Sequence, residues 1–492
     1  MAPKLENEFR SFLPSDDAHP YRTGAWRPQS REWTDVDPVV EGELPTDLNG
    51  VYLRNCENPL VPNRERYHPF DGDGMIHSIS FREGHVEYRN RFVRTDGMLA
   101  EQDAGRALWS GLAESPKKSE REDGWGARTR MKDASSTDVV VHRGVALSSF
   151  YQCGDLYRLD PVTLADMGKE SWNGKFPAAG ASAHTKVDEA TGDLFFFNYG
   201  TTAPFMHYGV VDRNGELVTY EPIELPGARL PHDMCFTQNY AILNDCPLFW
   251  DPDLLPKGVY ANRFYEDLPM RLGVIPRNGR GSDIRWFDFD PTFVLHWMNA
   301  WEDGDWVIVD GYFQQDPAPT LPADASVDQR LFRYLDLYAM QSIPYRWQMN
   351  MRTGETKEGP LSDVITEFGM INANVMGRPY RYAYSALPTE GWFTFEGIIK
   401  HDVHSGSMQT FRFPDGTYCS ETVFAPRADA TSEDDGYLLT YTSDIVNDES
   451  HCMVFDAQNP GDGPVARVRL PERICSGTHA YWADAATLAP AP

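Results

Sequence analysis

"LPHDMCFTQNYAILND", residues 230–245, carries the pattern that decides the fold. Phe236, Ile242 and Leu243 read as strand interior, and Asn244 and Asp245 close the run. A run this short, bounded by turn residues, is a strand rather than a helix. The same texture returns in "DVVVHRGVALSSF" (138–150), "GDLFFFNYG" (192–200), "HYGVVDRNGELVTY" (207–220), "DWVIVDGYF" (305–313) and "DGYLLTYTSD" (435–444). "DRNGEL" (212–217) and "ATGDLF" (190–195) have the composition of hairpin turns. Helical periodicity is rare; 98–113 and 327–342 are the candidates.

Many short strands at close spacing, without alternating helices, predict an all-β protein. The chain has 492 residues, too many for one sandwich. A β-propeller grows by radial repetition to this size, and an array of sandwiches is the competing architecture. No segment has linker composition, so a single domain spanning 1–492 is expected. The charged stretch 114–132, "ESPKKSEREDGWGARTRMK", reads as an exposed loop or lid.

Composition narrows the function classes. The formal charge is −28, from 73 acids against 45 bases, which argues against nucleic acid or an anionic membrane as partner. No apolar run is long enough to span a bilayer, and the N-terminus lacks a signal-type apolar core, so a cytoplasmic protein is expected. The 7 cysteines form no CxxC pair, which favours reduced thiols over a zinc site.

The opening stretch also poses a chemical question, because His232 and Asp233 stand side by side where the strand begins. Three other histidines share that setting: His184 in "GASAHTKVDEATGDLFFFNYG", His296 in "PTFVLHWMNAWEDGD" and His479 in "ICSGTHAYWADA". Their separations are not local metal spacings. They are on the scale of one or more propeller blades, whose innermost strands would face one axis. Imidazole suits iron, copper, zinc and nickel. The competing reading is four separate core histidines with hydrogen-bond partners. Asp233 is expected to act locally, through turn hydrogen bonds.

These contexts, with several others, resemble the carotenoid cleavage oxygenase family. "GVYLRNCENP" (50–59) is similar to the family's G-x-Y-x-R-N-G-P-N-P, with Cys56 and Glu57 in place of Gly-Pro. "YHPFDGDGMIHSISF" (67–81), "YRNRFVRT" (88–95), "HWMNAWEDGD" (296–305) and "SEDDGYLLTY" (432–441) follow in the family's order, and the resemblance runs from about residue 35 to 485. It implies a seven-bladed propeller under a helical and loop dome, with the insertions at about 98–132 and 327–342 forming part of the cap. It implies a non-haem iron(II) held by His184, His232, His296 and His479, with no organic cofactor. It also implies carboxylates behind the ligands at Glu367 and Glu421; a third falls at Gln152, where many members carry glutamate. The activity implied is cleavage of an alkene by O2 into two carbonyl fragments.

Within the family the chain is similar to the phenylpropanoid branch: lignostilbene and resveratrol dioxygenases and the enzymes that cleave isoeugenol or 4-vinylguaiacol to vanillin. "RTRMKDASSTDVVVHRG" (128–144) carries that likeness, and Lys132 matches the branch's phenol-binding lysine. A lysine there would hydrogen-bond a 4-hydroxyl and favour the phenolate. The branch pairs it with a tyrosine, but no tyrosine lies within 89–108, where Met98 and Leu99 would form an apolar pocket wall. The expected substrate is therefore a small aromatic alkene. A carotenoid or apocarotenoid cleaver and a non-catalytic binding propeller are the alternatives.

Overall fold

The apolar runs become strands. A computed structural model describes residues 2–63, 65–124 and 130–488, and antiparallel sheets dominate it. Among the described residues the α-helices are short: α1 (Asp96–Ala104), α2 (Val327–Phe332) and α3 (Ala485–Leu488). None is long and apolar enough to cross a membrane. The all-β expectation is met.

The chain divides into two compact units. The first comprises Met1–Ala181, Thr394–Lys400 and Gln409–Pro492. In it the C-terminal strand Ala480–Asp484 pairs with Gly50–Asn58, followed by Asp73–Arg82 and His85–Phe92. A second sheet runs Asp138–His142, Val145–Ser149, Tyr157–Leu159 and Asp166–Lys169. A core of Val51, Ile76, Val139, Ala146, Tyr157 and Ala483 joins these two sheets.

The second unit comprises Ser182–Phe393 and His401–Met408. Three four-stranded meanders follow in chain order. They open with Lys186–Asp188, Cys235–Phe236 and Trp297–Asp303, and the pair Glu367–Met370 with Tyr382–Pro388 comes next. Each opening strand lies at the edge of its sheet. Apolar side chains fill the space between meanders: Ile242, Leu272 and Val274 pack with Trp297, Val309 and Trp347. The Phe195 and Phe236 rings stack at 4.7 Å, with the Arg277 guanidinium over both and bonded to Asp188 at 2.7 Å.

The hairpin turn of 212–217 forms as expected, with Gly215 at φ +82°. The helix expected over 98–113 starts at Thr95, whose hydroxyl accepts from Met98 N, and stops early because Gly105 turns left-handed at φ +66°. The helix expected over 327–342 loses helical geometry at Phe332, and a strand has begun by Ser342. Of the charged loop 114–132, Glu114, Pro116, Met131 and Lys132 are largely buried and 120–124 are exposed, while 125–129 lie outside the described residues. All seven cysteines are buried thiols outside any disulfide.

Candidate metal centre

Each of the four singled-out histidines stands one to three residues before an edge strand of a sheet. In the second unit this brings three of them together. His184, His232 and His296 present ring nitrogens that all lie within 4.8 Å of one another. The Nε2 atoms of His184 and His232 are 3.2 Å apart, and the three ring centroids stand 4.8, 5.1 and 5.3 Å from each other. His184 and His296 are buried and His232 half-buried.

His184 holds φ at +63°, a left-handed conformation that a residue with a Cβ seldom adopts. Such strain persists where the surroundings enforce it, and it clusters at functional sites.

His296 Nδ1 is 2.7 Å from Glu367 Oε2. Glu367 is fully buried and opens the strand Glu367–Met370. A carboxylate on Nδ1 fixes the proton there and leaves the Nε2 lone pair for another partner. Phe368, also left-handed at φ +56°, sets its ring 4.5 Å from the imidazole centroid. In the first unit the same pairing recurs: His479 Nδ1 is 3.2 Å from Glu421 Oε1, and the other carboxylate oxygen accepts from Ala480 N at 2.6 Å.

The donor set fits a divalent transition metal. Two imidazole nitrogens on one ion at ~2.1 Å stand about 3.0–3.4 Å apart, which brackets the His184–His232 separation. With no cation, two lone pairs at that distance would repel unless a proton lay between them. A nitrogen set of this kind selects iron, copper, zinc or nickel over magnesium or calcium.

Gln152 is also in the first unit, buried at 4% exposure, and its Oε1 has no hydrogen-bond partner among the described residues. A buried amide oxygen without a donor costs about 1–3 kcal/mol.

Lys132 sits between two acids. Its Nζ is 2.8 Å from Asp73 Oδ1 and 2.8 Å from Glu101 Oε2, and all three side chains are largely buried. Burial alone would push the ammonium down, but the two carboxylates outweigh it and hold the lysine protonated. One cation between two anions leaves a net negative site, which works against the phenolate expected from the sequence. Lys132, Asp73 and Glu101 line a narrow cavity with Trp109, Met131 and Phe150. The lysine stem crosses α1 at Gly97, where an added Cβ would stand 2.4 Å from Lys132 Cγ.

Met98 and Leu99 do not line that cavity. Met98 is buried with Cys56, Leu60, Met75 and Phe92, and Leu99 is 46% exposed. One helix step turns about 100°, so Leu99 faces outward, while Glu101, three residues past Met98, shares the inner face. Asp73, Glu101 and Phe368 escaped the sequence reading. Asp73 lies inside the quoted "FDGDG" segment, which is the one signal that could have pointed to it.

The family described as RPE65, retinal pigment epithelial membrane protein, matches residues 26–484. A Phaseolus vulgaris protein named carotenoid 9,10(9',10')-cleavage dioxygenase 1 is 30% identical over 97% of this chain and 92% of its own length. An isoeugenol monooxygenase of Pseudomonas nitroreducens is 28% identical over 94% of this chain and 98% of its own. The crystal structure of Pseudomonas brassicacearum lignostilbene dioxygenase superposes with a TM-score of 0.82 at 27% identity, covering 96% of this chain and 100% of that one. The all-β, propeller-type fold expected from the sequence is the fold of that neighbour.

Proposed function

Because the chain belongs to the RPE65 and carotenoid cleavage oxygenase family, we propose that it is a non-haem iron(II) oxygenase. In this reading it cleaves the side-chain alkene of a small phenylpropanoid with O2, giving a vanillin-type aldehyde and a second carbonyl product. The observation that carries the reading is the convergence of His184, His232 and His296. His479 is the fourth ligand, assigned by its sequence context and by its carboxylate partner. The seven-blade count and the helical cap belong to the same reading.

Bound there, ferrous iron supplies the O2 chemistry that no side chain offers. The protein contributes the rest. Glu367 and Glu421 hold protons on Nδ1 of His296 and His479 and orient the rings. Neutral imidazoles leave the cation its full charge. Phe368 lays an apolar ring against His296 and keeps water from that side. Among the described residues Lys132 gives two of its three N–H groups to Asp73 and Glu101; in this reading the third donates to a neutral ring oxygen of the substrate.

A small aromatic alkene is favoured over a carotenoid by the acidic composition, which suits neither membrane docking nor extraction of a lipid. One observation supports the carotenoid reading: the carotenoid-named relative matches as fully as the isoeugenol-named one. A single panel decides. Iron-reconstituted enzyme is given isoeugenol, 4-vinylguaiacol, a hydroxystilbene and an apocarotenal under 18O2, and products are identified by mass. Labelled vanillin from the first two is the expected result. Turnover of the apocarotenal alone overturns the phenylpropanoid reading, and no turnover with no iron bound overturns the oxygenase reading.

A further inference from the structure

His184, His232 and His296 stand at the heads of three edge strands, and no ladder hydrogen bonds join those strands to one another. Something else must set their mutual distance. One carboxylate touches all three. Asp233, 2% exposed, is the residue after His232. Its Oδ2 accepts from Trp297 N at 2.9 Å, and Trp297 is the residue after His296. Its Oδ1 takes Lys186 Nζ at 2.9 Å, and Lys186 lies two residues past the strained His184. Oδ1 also accepts from Met234 N at 2.7 Å, and the Asp233 carbonyl accepts from Asn244 Nδ2 at 2.6 Å, which anchors the hub to the next strand of its own sheet. The backbone N–H at the head of an edge strand has no strand partner on its outer side, so a side-chain acceptor there replaces a missing ladder.

We infer that Asp233 and Lys186 are positioning residues that fix the separation of the three ring nitrogens. They thereby set how tightly, and in what geometry, the centre holds its cation. The inference rests on the reading of the three histidines as a metal centre. A site must be held to within roughly 0.5 Å to work, and groups that orient ligands typically change metal affinity by about 10–100-fold when removed. An ion pair serving stability alone would behave differently: its loss would lower the melting temperature and leave metal binding as it was.

The test uses the full chain, freed of metal, with Co(II) as probe. Three quantities are read: the Co(II) dissociation constant by chelator competition, the Co(II) d–d spectrum, and the melting temperature of the metal-free protein. Asp233→Asn and Lys186→Met are expected to weaken Co(II) binding about 10-fold or more and to shift the d–d bands. Lys186→Arg, which restores the cation, is expected to keep both near wild type. Asp434→Asn, which breaks the buried Lys400–Asp434 pair in the other unit, serves as the purely structural control: it is expected to lower melting and leave Co(II) affinity unchanged. If Asp233→Asn does not fold, the contrast between Lys186→Met and Lys186→Arg decides. Wild-type affinity and spectrum in both Asp233→Asn and Lys186→Met overturn the inference alone. A wild-type chain that takes up no Co(II) overturns the metal centre and this inference with it.

Discussion

His296 Nδ1 and Glu367 Oε2 stand 2.7 Å apart in a pocket where Glu367 has no exposure at all. A carboxylate this deep holds one imidazole nitrogen protonated and aims the other. Glu367→Gln keeps the shape but offers a neutral acceptor to the Nδ1–H. Iron affinity is expected to fall about 10–100-fold. Iron content after dialysis against a graded chelator series measures it, and full retention would show that Glu367 does not tune the ligand.

His232→Ala removes one of two nitrogens 3.2 Å apart. Iron and alkene cleavage are expected to disappear together, while the apolar cores beside the site stay intact. Metal analysis beside a turnover assay checks this; full iron occupancy with turnover would remove His232 from the centre.

Lys132→Met strands Asp73 and Glu101 as unpaired buried acids. The cost is expected to be about 3–5 kcal/mol, against roughly 0.5 kcal/mol or less for a solvated lid charge. Gly97→Ala probes the same cage from outside, since its methyl would collide with the lysine stem. Urea denaturation of both variants measures the losses. For the substrate, a 4-carboxylate analogue is expected to react at least ~10-fold more slowly than the 4-hydroxy compound, because the site is already net negative.

Two buried carboxyls give stability a pH dependence. Burial pushes Glu57 up to about 8, and burial with Asp155 nearby pushes Asp133 up to about 7. Both bind a proton more tightly folded than unfolded. Their contribution is therefore complete below about pH 4, falls progressively above it, and is gone once pH has risen through 7 to 8. Melting temperature is expected to decline from about pH 5 to about pH 8 and to level off above, and Glu57→Gln is expected to flatten the decline. An identical slope in that variant would show that Glu57 does not titrate in this window.

Gln152 carries a buried oxygen without a donor among the described residues. Gln152→Met removes that oxygen at similar volume, so stability is expected to hold or rise by up to about 1 kcal/mol. If the amide serves the iron site, turnover falls while stability does not, and the two measurements separate the roles.

The strands and the candidate centre were legible for one reason. Each histidine stands at the edge of an apolar run that ends in turn residues, and that contrast survives in one dimension. Partnerships across the fold were not legible. Lys132 reads as a loop cation because Glu101 lies 31 residues upstream. Asp233 reads as a local turn residue because Trp297 lies 64 residues on. α1 reads too long because apolar spacing continues past Gly105, where the backbone turns left-handed. The pairing of Ala480–Asp484 with Gly50–Asn58 leaves no trace in either segment alone.

The left-handed backbone at His184 has an evolutionary consequence. Glycine would relax that residue, and asparagine would tolerate it better than an imidazole does. Selection for a sturdier chain therefore pulls this position away from histidine, and in the proposed reading the demand for a metal ligand holds it there. A descendant that no longer needed the chemistry should lose His184 early, so the residue here is a readable sign of whether any relative of this chain is still an enzyme.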